Sequence, residues 1–193
     1  MKVLWVLPYY EGAVVCGGPA RSVPLLCQAL VGQGVEVSVL TTNANGRDVL
    51  DVPLRRPLYS GGVEVTYYPR LAAARFALSP GLARACARRV AGFDVVHSVD
   101  LYTFPSLVAL WLAAARGVPA VLSPKGELMA WALGYKARKK RPFMRLVGDG
   151  HLRRAAALHC TDELECRAVA DLGLPNPVYL VPNALDTARL ADL

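Results

Sequence analysis

Short apolar runs recur along the chain with helix-forming segments between them. The runs cover residues 3–7, 35–40, 63–67, 95–98, 120–122, 157–160 and 178–181, each of strand length. Helices are predicted over residues 21–31, 80–91, 104–116, 138–154 and 163–172, with Gly32, Gly117 and Gly173 as stop signals. Strands and helices in alternation predict an α/β fold. Right-handed crossovers then build a mainly parallel sheet with helices on both faces, a Rossmann-like three-layer α/β/α domain. Residues 43–62 hold Asn, Gly, Pro, Arg and Asp with no sustained period, which predicts a long surface loop between the second and third strands. A second irregular stretch, residues 123–134, follows the fifth strand directly. It therefore falls at the carboxyl edge of the sheet, where ligands of open α/β sheets collect.

Composition narrows the picture. At 193 residues, 54% hydrophobic and 19% charged, the chain fits one ordinary domain with a substantial core and leaves the disordered class. The formal net charge of +7 favours anionic partners. Nucleic acid is set aside, because basic and aromatic residues are not interleaved as single-strand binders require. Cys16, Cys27, Cys86, Cys160 and Cys166 are odd in number and lack metal-ligand spacing, so a reduced chain with small buried thiols is expected. Pro8 cuts short the first apolar run and Arg116 stops the longest, residues 107–115, whereas signal peptides and membrane spans need longer cores. A cytoplasmic protein is the expectation.

Three constellations can carry chemistry. In Cys16-Gly17-Gly18-Pro19-Ala20-Arg21-Ser22 the paired glycines let a ligand approach the backbone at a helix start, or simply make a turn. The spacing meets neither the dinucleotide nor the P-loop fingerprint. The fourth strand delivers His97 and Asp100 to the ligand-bearing edge, where either can orient a hydroxyl or move a proton. Their plain alternatives are a core histidine and a helix N-cap. The third constellation is Lys125, Gly126 and Glu127, a cation for phosphate beside a carboxylate for hydroxyls. Behind it lies the basic run Lys136, Arg138, Lys139, Lys140 and Arg141, either a solvated helix face or a contact for anionic lipid headgroups or a protein partner.

Taken together, these segments resemble a known family. Gly17-Gly-Pro-Ala-Arg-Ser-Val23, Gln33-Gly-Val-Glu-Val-Ser-Val-Leu-Thr41, Asp94-Val-Val-His-Ser98, Ser123-Pro-Lys-Gly-Glu-Leu-Met-Ala-Trp131, Lys139-Lys140, Thr161-Asp-Glu-Leu-Glu165 and Pro182-Asn-Ala-Leu-Asp186 look like the N-terminal half of family-4, GT-B-fold glycosyltransferases. The resemblance covers essentially the whole chain and keeps the order of the motifs.

It implies a retaining transferase that moves a sugar from a nucleotide-diphosphate sugar to a glycan or lipid-linked acceptor, without a metal or tightly bound cofactor. Residues 1–193 would form a single acceptor-side domain lacking the C-terminal donor-binding domain, so that a second domain or subunit completes the enzyme and this chain alone is inactive. Gly17 and Gly18 would line the cleft beside the donor's phosphates and transferring sugar, Lys125, Gly126 and Glu127 would line the acceptor side, and Arg21 would also bind substrate. His97 and Asp100 would be catalytic, and the basic run would add a peripheral contact at the inner face of the membrane. The sequence departs from the family at three positions. Val99 stands where a second histidine is common, Lys125 stands for Arg with loss of the bidentate fork, and Ala184 stands for Gly. The alternative from another class is a non-catalytic basic module for an anionic membrane or a protein partner.

Overall fold

A computed structural model describes residues 1–71, 76–134 and 149–184. It contains an eight-stranded sheet with helices on both faces. The strands are β1 (Lys2–Leu7), β2 (Glu36–Thr42), β5 (Pro57–Ser60), β6 (Val63–Tyr68), β7 (Val95–Val99), β8 (Ala120–Ser123), β9 (Ala157–Cys160) and β10 (Val178–Leu180). Their order across the sheet is β10-β9-β8-β7-β1-β2-β6-β5, and every neighbouring pair is parallel except β5 with β6. The helices are α1 (Pro19–Gly32), α2 (Pro80–Arg89), α3 (Phe104–Ala115), α4 (Ala130–Gly134), α5 (Asp149–Leu152) and α6 (Glu163–Ala170). The predicted helix over residues 138–154 falls mostly outside the described residues; its described part is α5.

The central strand explains the layering. In β1 every residue after Lys2 is buried, and alternate side chains feed different cores. Leu4 and Val6 join the cluster under α2, α3 and α6, with Leu82, Leu110 and Val169. Val3, Trp5 and Leu7 join the cluster under α1, with Val23 and Cys27. All five cysteines are free, and burial pushes the Cys27 and Cys86 thiols up to about 12. Among the described residues no helix is long and apolar enough to cross a membrane.

The predicted loop over residues 43–62 is corrected by the structure. It holds a two-stranded hairpin, β3 (Ala44–Asn45) with β4 (Asp48–Val49), and then β5, the antiparallel edge strand. Both features turn on glycines in the left-handed region: Gly46 at φ +65° between β3 and β4, and Gly61 and Gly62 at φ +55° and +80° between β5 and β6. These are two-residue hairpin loops, Gly46-Arg47 and Gly61-Gly62, in which glycine supplies the positive φ that the flanking twist demands.

Strand order reverses between β1 and β7, since β1 continues to β2 on one side while the chain returns to β7 on the other. That reversal opens a crevice at the carboxyl edge, the place where ligands bind in such sheets.

Candidate functional site

At the carboxyl edge the loops after β1, β7, β8, β9 and β10 are tied together by side-chain hydrogen bonds. Two non-glycine residues there, Asp100 at φ +66° and Lys125 at φ +50°, adopt the left-handed conformation. Such backbone costs about 1 kcal/mol or more per residue and persists only where the surroundings over-determine it. At Asp100 the peptide N–H donates to the Ser123 carbonyl at 3.0 Å, and the Tyr9 hydroxyl, from the loop after β1, donates to Oδ2 at 2.8 Å. The next amide, Leu101, donates to Glu127 Oε2.

The turn after β8 is held from the other side. Glu165, fully buried in α6, accepts the Gly126 N–H on Oε1 at 2.5 Å, and the Thr161 N–H and hydroxyl on Oε2 at 2.7 and 3.0 Å. Asp162 caps α6 by accepting the Glu165 N–H at 2.8 Å, which aims that carboxylate at the turn. The Lys125 ammonium donates to Asn183 Oδ1 at 2.9 Å, after β10.

Burial sets the electrostatics. It raises the Asp100 carboxyl to about 6, against the opposing pull of the Tyr9 hydrogen bond and the Lys125 charge. Burial likewise lowers the Lys125 ammonium, while Glu165 and Asp100 hold it up. His97 lies well below the ordinary imidazole range, first through burial and then through His159 and Lys125. It stacks on Trp5 at 3.8 Å and 13°.

From His97 a hydrogen-bonded line crosses three strands: Nε2 to Ser123 Oγ at 2.8 Å, Ser123 Oγ to His159 Nδ1 at 2.7 Å, and His159 Nε2 to the Val181 carbonyl at 2.8 Å. The carbonyl end fixes the tautomers, because it can only accept. His159 donates from Nε2 and accepts from the Ser123 hydroxyl at Nδ1, which leaves Ser123 to accept from His97 Nε2–H. Burial lowers both imidazoles and so favours the neutral rings that this pattern needs, and together they join the ends of β7, β8, β9 and β10.

Asp100 does not cap α3, because Thr103 occupies the N-cap position. Gly17, at φ +87°, holds the left-handed region that favours glycine, whereas Gly18 holds a helical φ of −54° directly ahead of Pro19; a Cβ on either meets no atom within 4 Å beyond its chain neighbours. Both are open to an approaching ligand. Arg21 is exposed in the first turn of α1. Lys136, Arg138, Lys139, Lys140 and Arg141 lie outside the described residues. Sequence reasoning gave no role to Tyr9, Ser123, His159, Glu165 or Asn183. Among the described residues no group of three His, Cys, Asp or Glu side chains is placed to hold a metal ion.

A doubly layered, mainly parallel sheet with its polar network at the carboxyl edge is one Rossmann-like half of a GT-B architecture. Residues 17–184 match the glycosyl transferase 4-like domain, and the chain belongs to that family. Among solved structures, the Anabaena protein HepE in complex with UDP-glucose aligns at a TM-score of 0.60 and 14% identity, over 97% of this chain and 45% of that one. UDP-GlcNAc 2-epimerase from Methanocaldococcus jannaschii aligns at 0.56 and 11%, over 95% and 46% respectively. At these identities the likeness is one of fold, and the chain spans less than half the length of either protein. No curated protein matches the chain in sequence.

Proposed function

We propose that the chain is the acceptor-side half of a retaining glycosyltransferase, a single domain over residues 1–193. It moves a sugar from a nucleotide-diphosphate sugar to a glycan or lipid-linked acceptor once a second, nucleotide-binding domain or subunit meets its carboxyl edge. Family membership supports the transferase chemistry, and UDP-glucose in HepE supports the class of donor. The observation that carries the reading is the pair Asp100 and Lys125, two strained residues on adjacent strand ends, each fixed by side chains from other loops.

Transfer breaks the bond between the anomeric carbon and the diphosphate oxygen and forms one to the acceptor oxygen, whose proton must leave. Asp100, with its carboxyl at about 6, is ionised at neutral pH. Tyr9 occupies Oδ2, so Oδ1 is the oxygen that accepts the hydrogen bond of an acceptor hydroxyl. Lys125 supplies the cation that attracts phosphate. Glu127 acts by positioning, its Oε2 committed to the Leu101 amide. His97 is a positioning residue as well, because Ser123 bonds it through the hydroxyl and holds the Asp100 amide through the carbonyl. Gly17 and Gly18 leave the start of α1 open to the donor's phosphates.

Proton NMR of the transfer product of the completed enzyme tests the stereochemistry: the new anomeric signal is expected in the donor's configuration, and an inverted signal contradicts the reading. Gly18→Val tests the glycine turn. The space beside Gly18 is open, but its helical φ and ψ sit directly ahead of Pro19, whose ring crowds a Cβ there, so the change should cost about 1 kcal/mol of stability, well short of losing the fold. Transfer should fall about tenfold or more as the side chain fills the ligand's approach, roughly 1.4 kcal/mol of transition-state binding. Unchanged kcat/KM removes the turn from the site.

A further inference from the structure

A surface cavity of about 470 Å³ opens between α2, the end of β6 and the segment ahead of β5. Arg55, Arg84 and Arg88 line it together with Tyr68 and Gly81. Arg84 and Arg88 are four residues apart and so share one face of α2. Arg55 comes from a distant stretch of chain, held at φ +59° with its N–H donated to the Tyr67 carbonyl at 2.7 Å. Among the described residues none of the three arginines has a carboxylate within ion-pair distance, whereas their neighbour Arg89 is paired with Glu64 at 2.7 Å. Three unpaired cations around one concavity repel each other and focus a positive potential into it.

The start of α2 adds a backbone donor. Pro80 has no N–H, the Leu82 N–H goes to Ser79 Oγ at 3.4 Å, and the Ala83 N–H goes to the Ser79 carbonyl at 3.1 Å. The Gly81 N–H is what remains of the first turn, at the positive end of the helix dipole. A Cβ at residue 81 would come within 3.3 Å of the Tyr68 ring, so glycine there lets the helix backbone sit against the cavity wall.

We propose that this cavity binds a phosphate or diphosphate group, free in solution or carried on a lipid headgroup. Guanidinium forks match phosphate oxygens two at a time, and a multiply charged anion balances three arginines where a single carboxylate would not. The cavity is not part of the crevice that holds Asp100. β1 and β2 lie between β6 and β7, a separation of roughly 14 Å across the sheet. The inference therefore stands apart from the glycosyltransferase reading.

The test titrates the full chain calorimetrically with inorganic pyrophosphate, and separately sediments it with phosphatidylcholine vesicles that carry phosphatidate. The native chain is expected to bind at least one probe, and the double variant Arg84→Gln with Arg88→Gln to bind it about tenfold more weakly or worse, with unchanged cooperative unfolding. Arg116→Gln, which removes an exposed cation just after α3, is expected to leave that affinity unaltered. Binding of pyrophosphate identifies a soluble source, and arginine-dependent binding of vesicles alone identifies a headgroup. Binding of neither probe, equal binding by the double variant, or an equal loss on Arg116→Gln overturns the proposal.

Discussion

Replacing Asp100 by Asn is expected to cut sugar transfer by the completed enzyme about a hundredfold or more, and at the same time to raise the unfolding temperature of the chain at neutral pH. The first effect follows from the loss of a carboxylate that accepts the acceptor's proton or hydrogen bond, a contribution of roughly 10²–10⁴ in rate where it has been isolated. The second follows from burial, which raises the Asp100 carboxyl from 3.8 to about 6. Between those values the folded chain binds a proton that the unfolded chain has released, so stability falls as pH rises through the window. Above it the folded state carries an ionised, desolvated carboxylate at full cost.

Asn removes the charge, keeps an oxygen for the Tyr9 hydroxyl, and tolerates the left-handed φ of +66° better than most residues. The stability advantage of the variant should shrink as pH falls from about 6 and disappear below 3.8, where the native residue is protonated in both states. Thermal unfolding of both chains across this range, with kcat/KM at neutral pH, checks the prediction. A variant that is less stable at neutral pH would show that the Asp100 charge does not cost the fold, and one as active as the native enzyme would show that the carboxylate is not needed for transfer.

Glu165→Ala should destabilise the chain by about 3 kcal/mol or more, because a fully buried carboxylate serving three donors leaves all three without partners. The damage reaches the site through Gly126, whose amide is tied to Glu165 and whose neighbour Lys125 relies on that tie for its conformation. Glu165→Gln keeps the volume and one accepting oxygen, so its cost should fall between those of the native residue and alanine. Urea unfolding gives the free energies, and hydrogen exchange at the Gly126 amide reports the loop directly. A loss below about 0.5 kcal/mol for Glu165→Ala, within the range of ordinary surface substitutions, would mean that the carboxylate does not hold the turn.

The parallel strands were legible because each is a compact apolar run, and β1 is buried on both faces. The hairpin at Gly46 and the edge strand ahead of Gly61 were not, since β3 and β4 are two residues each and carry no run at all. Their signal lay in the turns, Gly46-Arg47 and Gly61-Gly62, which a reading by periodicity passes over. At the site, Asp100 and Lys125 could be found because they follow strands directly. His97 could be found, but its setting could not. Its partners Ser123 and His159 lie 26 and 62 residues away in sequence and become neighbours only through the parallel pairing of β7, β8 and β9. Glu165 reads as one more charge in an acidic helix start, and its burial is a product of tertiary packing alone.

The central claim is that this chain supplies one half of a transferase site. The most direct measurement incubates the purified 193-residue chain, alone and together with a nucleotide-binding GT-B second half, with radiolabelled nucleotide sugars and a panel of glycan and lipid-linked acceptors. No label moves to any acceptor with the chain alone, and transfer appears when the second half is present and is lost again with Asp100→Asn. Turnover by the isolated chain, or transfer in the completed enzyme that is indifferent to Asp100, would contradict it.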